Sequence, residues 1–267
     1  MFKKYGKVFI LGVQNSLEYR TNFLLSLLSI IFPAVMQYFF WTAVFKCSSS
    51  ATIYGYTHSQ MIFYSLISAL MAKLVASGFE YEVNDDIKNG GLNKFIVKPI
   101  GYMFYRISCF LGEKSIQAVI IIVLIGFVTV LYKILFDLNI ALINIIFFLV
   151  SMIFAIILNF LISFCVSTIA FLVDEVSYLF AMSAMFLNII SGGVLPVDVF
   201  PSVVQDIFKF LPFRYTIYSV VNIVSGRMSN MQSIEVLVLQ IIWILIMSVV
   251  SNLLWKSGVK KYTAAGG

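Results

Sequence analysis

The chain has 267 residues, of which 61% are hydrophobic and 11% charged, with 18 Lys and Arg against 12 Asp and Glu, and a mean hydropathy of +1.00. Soluble domains carry about 25% charged and about 45–50% apolar residues, so this composition excludes a water-soluble globule and makes lipid the surrounding solvent. The net charge of +6 does not signal nucleic acid, because most of it sits in the connections on one side of the apolar segments, as topology signals and contacts to anionic lipid.

Residues 2–19 have the period of an amphipathic helix. Phe2, Tyr5, Phe9, Val13 and Leu17 share one face, and Lys3, Lys7, Gln14 and Glu18 fall on others. Residues 1–22 are therefore expected to lie in the membrane interface. The mixed segment after Lys3, Lys4 and Lys7 is not that of a cleavable signal peptide. A single transmembrane domain, 23–256, follows. Crossing a bilayer takes about 20 mainly apolar residues, and such stretches occur at about 23–45, 59–77, 115–135, 142–173, 178–195 and 234–256. Pro33 is expected to kink the first. The fourth must tilt or begin in the interface, and Asp174 and Glu175 join it tightly to the fifth. Residues 257–267 form a tail whose last four residues, Ala264 to Gly267, read as an appendage.

With the amino terminus in the cytoplasm, the outer connections hold Lys46, Lys133, Lys209, Arg214 and Arg227, and the other 13 of the 18 Lys and Arg lie inside. This asymmetry predicts both termini in the cytoplasm, the 78–114 connection inside and the 196–233 connection outside.

The inner connection opens with a short acidic helix carrying Glu80, Glu82, Asp85 and Asp86, then Ile87 and Lys88, and stops at Gly90 and Gly91, since Gly suits a helix C-cap. Leu92, Phe95, Ile96 and Val97 then alternate with Asn93, Lys94 and Lys98 up to Pro99. This pattern fits either an interfacial linker or a docking knob for a cytoplasmic partner. The outer connection holds Gly192, Gly193, Leu195, Pro196, Phe200 and Pro201, then an amphipathic turn over 202–211. A Gly-Gly break before helices too short to span suggests a re-entrant hairpin, which either rests on lipid or gates the exterior.

Small and polar residues recur at helical spacing in the fourth stretch (Ser151, Ala155, Asn159, Ser163, Ser167) and the fifth (Ser177, Ala181, Ala184, Asn188, Gly192). Such stripes serve close helix packing or a pathway. Gln37 and Trp41 of the first stretch, with Asn159, Ser163 and Asn188, are the candidate pathway residues. Charged residues are nearly missing from the centres of the stretches, which disfavours a proton relay. The single His58 has no metal-ligand companions, and the three cysteines Cys47, Cys109 and Cys165 form no CxxC, so neither a metal site nor a disulfide framework is expected. GxSxG and GxxxxGK[ST] are both missing, so no catalytic residues are assigned and any ATP chemistry must come from another polypeptide.

An amphipathic amino-terminal segment, six spans, an inner loop between the second and third, and a re-entrant outer segment before the last together resemble the ABC-2-type permeases. The inner loop Asp86-Ile-Lys-Asn-Gly-Gly-Leu-Asn-Lys-Phe-Ile-Val-Lys-Pro99-Ile100, followed by Tyr102, Tyr105 and Arg106, is similar to a bacterial branch of that family. So is the outer series Ser191-Gly-Gly-Val-Leu-Pro196, Phe200-Pro201, Leu211-Pro-Phe213 and Gly226. Gly91 stands where other members often carry a polar residue. The resemblance implies an all-α integral membrane fold of the ABC-2, type V exporter-like class: six transmembrane helices, an elbow helix, a coupling helix at Glu80–Gly91 and an outer hairpin. It implies a permease that exports a hydrophobic or amphipathic compound across the bacterial cytoplasmic membrane. Its partners would be two ABC ATPase subunits, which hold the ATP and Mg, and a second identical or related permease. A stand-alone secondary transporter or channel is the alternative. An integral-membrane enzyme would need a cluster of His, Asp, Glu or Cys that the sequence lacks.

Overall fold

A computed structural model describes residues 2–18, 25, 28–96, 100–136, 141–173 and 175–262. The expected starts of the first span at Phe23 and of its flank at Arg20, the loop residues Val97, Lys98 and Pro99, Asp174, and the last residues 263–267 lie outside the described residues. The regular elements among the described residues are all helices, without strands.

The amino-terminal helix α1 (Phe2–Glu18) is followed by α2 (Ile31–Cys47), α3 (His58–Val75), α4 (Phe79–Lys88), the single turn α5 (Asn93–Ile96), α6 (Tyr102–Phe136), α7 (Leu142–Ser167), α8 (Ser177–Ile190), α9 (Ser202–Lys209), α10 (Tyr218–Val224) and α11 (Asn230–Lys261). Among the described residues, four helical stretches are long and apolar enough to cross a membrane: His58–Lys88, Tyr102–Phe136, Leu142–Phe171 and Asn230–Lys261. The helices at the other two expected spans are shorter. With a rise of about 1.5 Å per residue, α2 with 17 residues and α8 with 14 reach about 26 and 21 Å, less than the ~30 Å of a hydrocarbon core.

The boundaries differ from the hydropathy reading in instructive places. Two helices begin at capping boxes that hydropathy does not see. In α3, Thr57 Oγ1 accepts from the Gln60 amide while Gln60 Oε1 accepts from the Thr57 amide. Ser229 and Gln232 do the same for α11, so that helix starts at Asn230 and not near 234. Helix α6 starts at Tyr102, 13 residues ahead of the expected 115: Arg106 is paired by carboxylates of α4, and Glu113 and Lys114 find partners along α6 itself, in Cys109 and Gln117. Pro33 falls in the first turn of α2, where a missing N–H costs nothing, so it is not a mid-span kink.

Helix α7 is the hub. From Phe148 to Ser167 most of its residues are buried, and α3, α4, α8, α10 and α11 all touch it. Gln240 of α11, fully buried, donates to the carbonyls of Ser151 and Tyr215 and accepts from the Ser151 hydroxyl at 3.0 Å. Where no water competes, such side-chain to backbone bonds fix helix register.

Helix α1 has protein against one of its faces. It packs along α6 through Gly12, which is buried. A Cβ on Gly12 would overlap the Cys109 carbonyl, and one on Gly112 would overlap the Phe9 carbonyl. Phe9 and Leu17 stay exposed and are left for lipid. Gly12→Val and Gly112→Val are each expected to push α1 off α6, read as faster amide hydrogen exchange over residues 2–18. Gly6→Ala, with nothing within 4 Å of its added Cβ, is the neutral control. Unchanged exchange in Gly12→Val would refute the contact.

Candidate functional site

Three places collect the polar residues that a membrane-embedded helical protein otherwise avoids. The first is the end where α4 and the last turns of α11 pack on the start of α6. Helix α4 buries Phe79, Val83 and Ile87, spaced by four, against α7 and α6. Phe79 meets Phe110 and Phe160 at ring-centroid distances of 5.6 and 4.8 Å, while Tyr102 stacks on Trp255 of α11 at 4.5 Å and 2°. This aromatic layer joins α4, α6, α7 and α11.

Its polar counterpart is Arg106, whose side chain is 8% exposed. The guanidinium pairs with Glu82 and Asp86 of α4 and takes the Tyr102 hydroxyl through Nε at 2.9 Å. Tyr102 in turn donates to Asp86 at 2.8 Å, and Lys94 reaches the other Asp86 oxygen at 3.4 Å. A buried charge persists only when its donors and acceptors are matched in this way. Gly90, at φ +73°, lets the chain turn back so that the Leu92 amide donates to the Asp86 carbonyl. Gly91 then passes so close to Asp86 that a Cβ there would overlap its carboxylate, which explains the absence of a polar side chain at 91.

The second place is a cavity of about 650 Å³ between α2, α3, α7 and α8, closed at one end by the first turn of α4. It exists because α3 and α4 are not one continuous helix. At Ala76, Ser77 and Gly78 the chain steps sideways, with Gly78 at φ +151°. The carbonyl of Val75 that the break leaves open accepts from Asn159 Nδ2 at 2.6 Å. Ser77 Oγ lies 2.6 Å from Ser163 Oγ and donates to Glu80. The wall is mostly apolar, with Ala69, Ala72, Val166, Leu187 and Val194, but Gln37, Lys73, Glu80 and Asn188 also reach it. Gln37 Oε1 and Asn188 Oδ1 are buried without a hydrogen-bond partner among the described residues.

The third place is the opposite end. Gly192 adopts φ +87° and its carbonyl accepts the Tyr64 hydroxyl at 2.7 Å. The Tyr218 amide donates to the Ser191 carbonyl. Asp198 accepts from Tyr56 and Tyr218 at 2.7 and 2.8 Å, and Arg227 lies 3.4 Å from the Tyr56 ring centroid. Burial and the Asp198 carboxylate hold both phenols well above their ordinary range, so they remain donors and the bonds persist.

The candidate residues therefore divide. Of the inner group, Glu82, Asp86 and Lys88 are engaged within the chain, the last donating to the Val173 carbonyl at 3.1 Å. Ile87 and Leu92 are buried in the core, and Gly90 forms the turn. Glu80 lines the cavity, and Asp85 is exposed. Gln37, Asn159, Ser163 and Asn188 meet at the cavity, whereas Trp41, 2% exposed, is packed in the core and does not line it. In the outer group, Gly192, Gly193 and Pro196 are buried, Leu195 and Phe200 half-buried, and Pro201 exposed. Phe200 packs on Phe208 at 5.5 Å. Sequence reasoning missed Lys73, Asp198 and the Tyr56–Tyr218 pair. Lys73 had a signal, a lone cation at the end of an apolar stretch; the tyrosines had none.

A family model described as ABC-2 family transporter protein matches residues 31–266. No curated protein matches the chain.

Removing one partner of a buried ion pair costs about 3–5 kcal/mol, and exposed pairs contribute about 1 kcal/mol or less. Arg106→Met is thus expected to destabilise the chain several-fold more than Glu82→Gln, because Glu82 is 57% exposed and Asp86 13%. Denaturation of the two purified variants compares them, and equal losses would sink the assignment of Arg106 as the centre of this corner.

Proposed function

The chain belongs to the ABC-2 transporter family, and from that premise we propose that it is the transmembrane permease subunit of an ATP-driven exporter in the bacterial cytoplasmic membrane. Its cargo on this reading is a hydrophobic or amphipathic compound. It is a multi-pass membrane protein; in the proposed topology both termini face the cytoplasm and α2 and α8 supply two further crossings, making six. Residues 1–22 serve as the elbow of a single transmembrane domain, 23–256. Two ABC ATPase subunits bring ATP and Mg, and a second identical or related permease completes the pathway, with the Gly192–Pro201 hairpin as its outer gate. No step of hydrolysis is carried by this chain.

One observation carries this reading. Helix α4 has two working faces. Its first turn, through Glu80 and Tyr81, forms part of the cavity wall, while Glu82, Asp85 and Asn89 look outward. A partner that pushes on the outer face therefore moves the cavity wall directly. The Arg106 pairs and the aromatic layer pass the same displacement to α6, α7 and α11. On this reading the docking surface is the outward face of α4, centred on Asp85. Ile87 and Leu92, which face inward, transmit the movement instead of contacting the ATPase.

Asp85→Lys is the clean test, since Asp85 has no partner among the described residues and its reversal leaves the Arg106 corner intact. The variant is expected to lose at least about tenfold of the co-purifying ATPase, the scale of one mispaired interface charge, with the permease itself still folded. If no ATPase accompanies the native chain, and transport proceeds without one, a stand-alone transporter replaces this proposal.

A further inference from the structure

The cavity between α2, α3, α7 and α8 has an uneven distribution of charge. Among the residues that line it, only Lys73 and Glu80 are charged, and both lie at its α4 end. Their situations differ. Glu80 already accepts a hydrogen bond from Ser77 at 2.5 Å, and Ser77 is itself supported by Ser163. Lys73 makes no hydrogen bond or ion pair with any described residue, although it is half-buried. An ammonium has three donors to satisfy, and a charge beside an apolar wall is stabilised chiefly by an opposite charge.

Away from Lys73 the lining turns apolar. From Phe180 to Ser191 one side of α8 forms it, a run of about 16 Å at 1.5 Å per residue. Partway along, Gln37 and Asn188 also contribute to the lining, with their side-chain oxygens turned into the protein. Cavities of about 300–1,000 Å³ hold drug-sized molecules, and this one falls within that range.

We infer that the cavity binds an anionic amphiphile, with a carboxylate or phosphate on Lys73 and an apolar chain along α8. This deepens the exporter reading and rests on it only for the direction of transport; occupancy of the cavity does not depend on an ATPase.

The test uses the full chain in nanodiscs of phosphatidylcholine and three photoactivatable probes of one chain length: a fatty acid, an alkyl phosphate and a fatty alcohol. Cross-linked peptides are mapped by mass spectrometry. The acid and the phosphate are expected to label the segments 69–77 and 180–191 about tenfold more than the alcohol, the scale of one charge-assisted hydrogen bond. Lys73→Gln is expected to remove that preference and Lys73→Arg to keep it. The acid-to-alcohol ratio in the native chain remains decisive should Lys73→Gln fail to fold. Equal labelling by acid and alcohol overturns the inference, as does labelling confined to the exposed faces of α6 and α11, where the probe meets the chain as bulk lipid. If the acid labels the cavity but no ATPase accompanies the chain, the binding site stands and the ATP-driven reading falls.

Discussion

In a bilayer each interruption of a helix leaves carbonyl and amide groups that water cannot satisfy, and the chain must supply their partners itself. Among the described residues, the breaks at Ala76–Gly78 and at Ser191–Gly193 are both supported by side chains from distant helices. Asn159 holds the Val75 carbonyl at the first. Tyr64 holds the Gly192 carbonyl at the second. Without these bonds α3 and α4 would gain by fusing into one rod, α4 would no longer cross the end of the bundle, and the cavity beside it would close. In the polar stripe of α7, Asn159 and Ser163 therefore both support the break and line the space it opens.

Arg106 supplies the second constraint. A guanidinium buried at 8% exposure is tolerable only with both α4 carboxylates and the Tyr102 hydroxyl in place, so α4 has a single well-defined seat. Together with the Tyr102–Trp255 stack, this ties α4 to α6, α7 and α11. Helix α8 is held differently. Only Phe180 of its residues is buried, and Tyr178, Met182, Met185 and Phe186 are each more than two-thirds exposed. The cavity thus lies between a firmly tied wall and a lightly tied one.

At the opposite end, the 192–201 segment is held both by apolar burial, with Val197 in the core, and by directional bonds to Asp198. Tyr56 and Tyr218 come from segments far apart in the chain and converge on one carboxylate. Arg227 covers the Tyr56 ring and donates to the Gly55 carbonyl at 2.9 Å.

Much of this protein was legible in the linear chain. Hydropathy located α3, α7 and α11 to within a few residues, since a bilayer demands about 20 apolar residues whatever surrounds them. The periodicity of 2–19 and the Gly90 stop identified α1 and α4, and the motifs of the inner and outer connections pointed to the family. The partners of the polar residues were not legible. Nothing in the spacing of Glu82 and Asp86 says that Arg106 takes them, and nothing near Tyr56 announces Asp198, 142 residues away. Nor does Lys73, read as a topology charge, reveal that it looks into a cavity. Hydrophobic length and helical period are local properties that composition alone determines. Which buried polar groups satisfy one another depends on helices brought together from across the chain, and only the tertiary structure decides that.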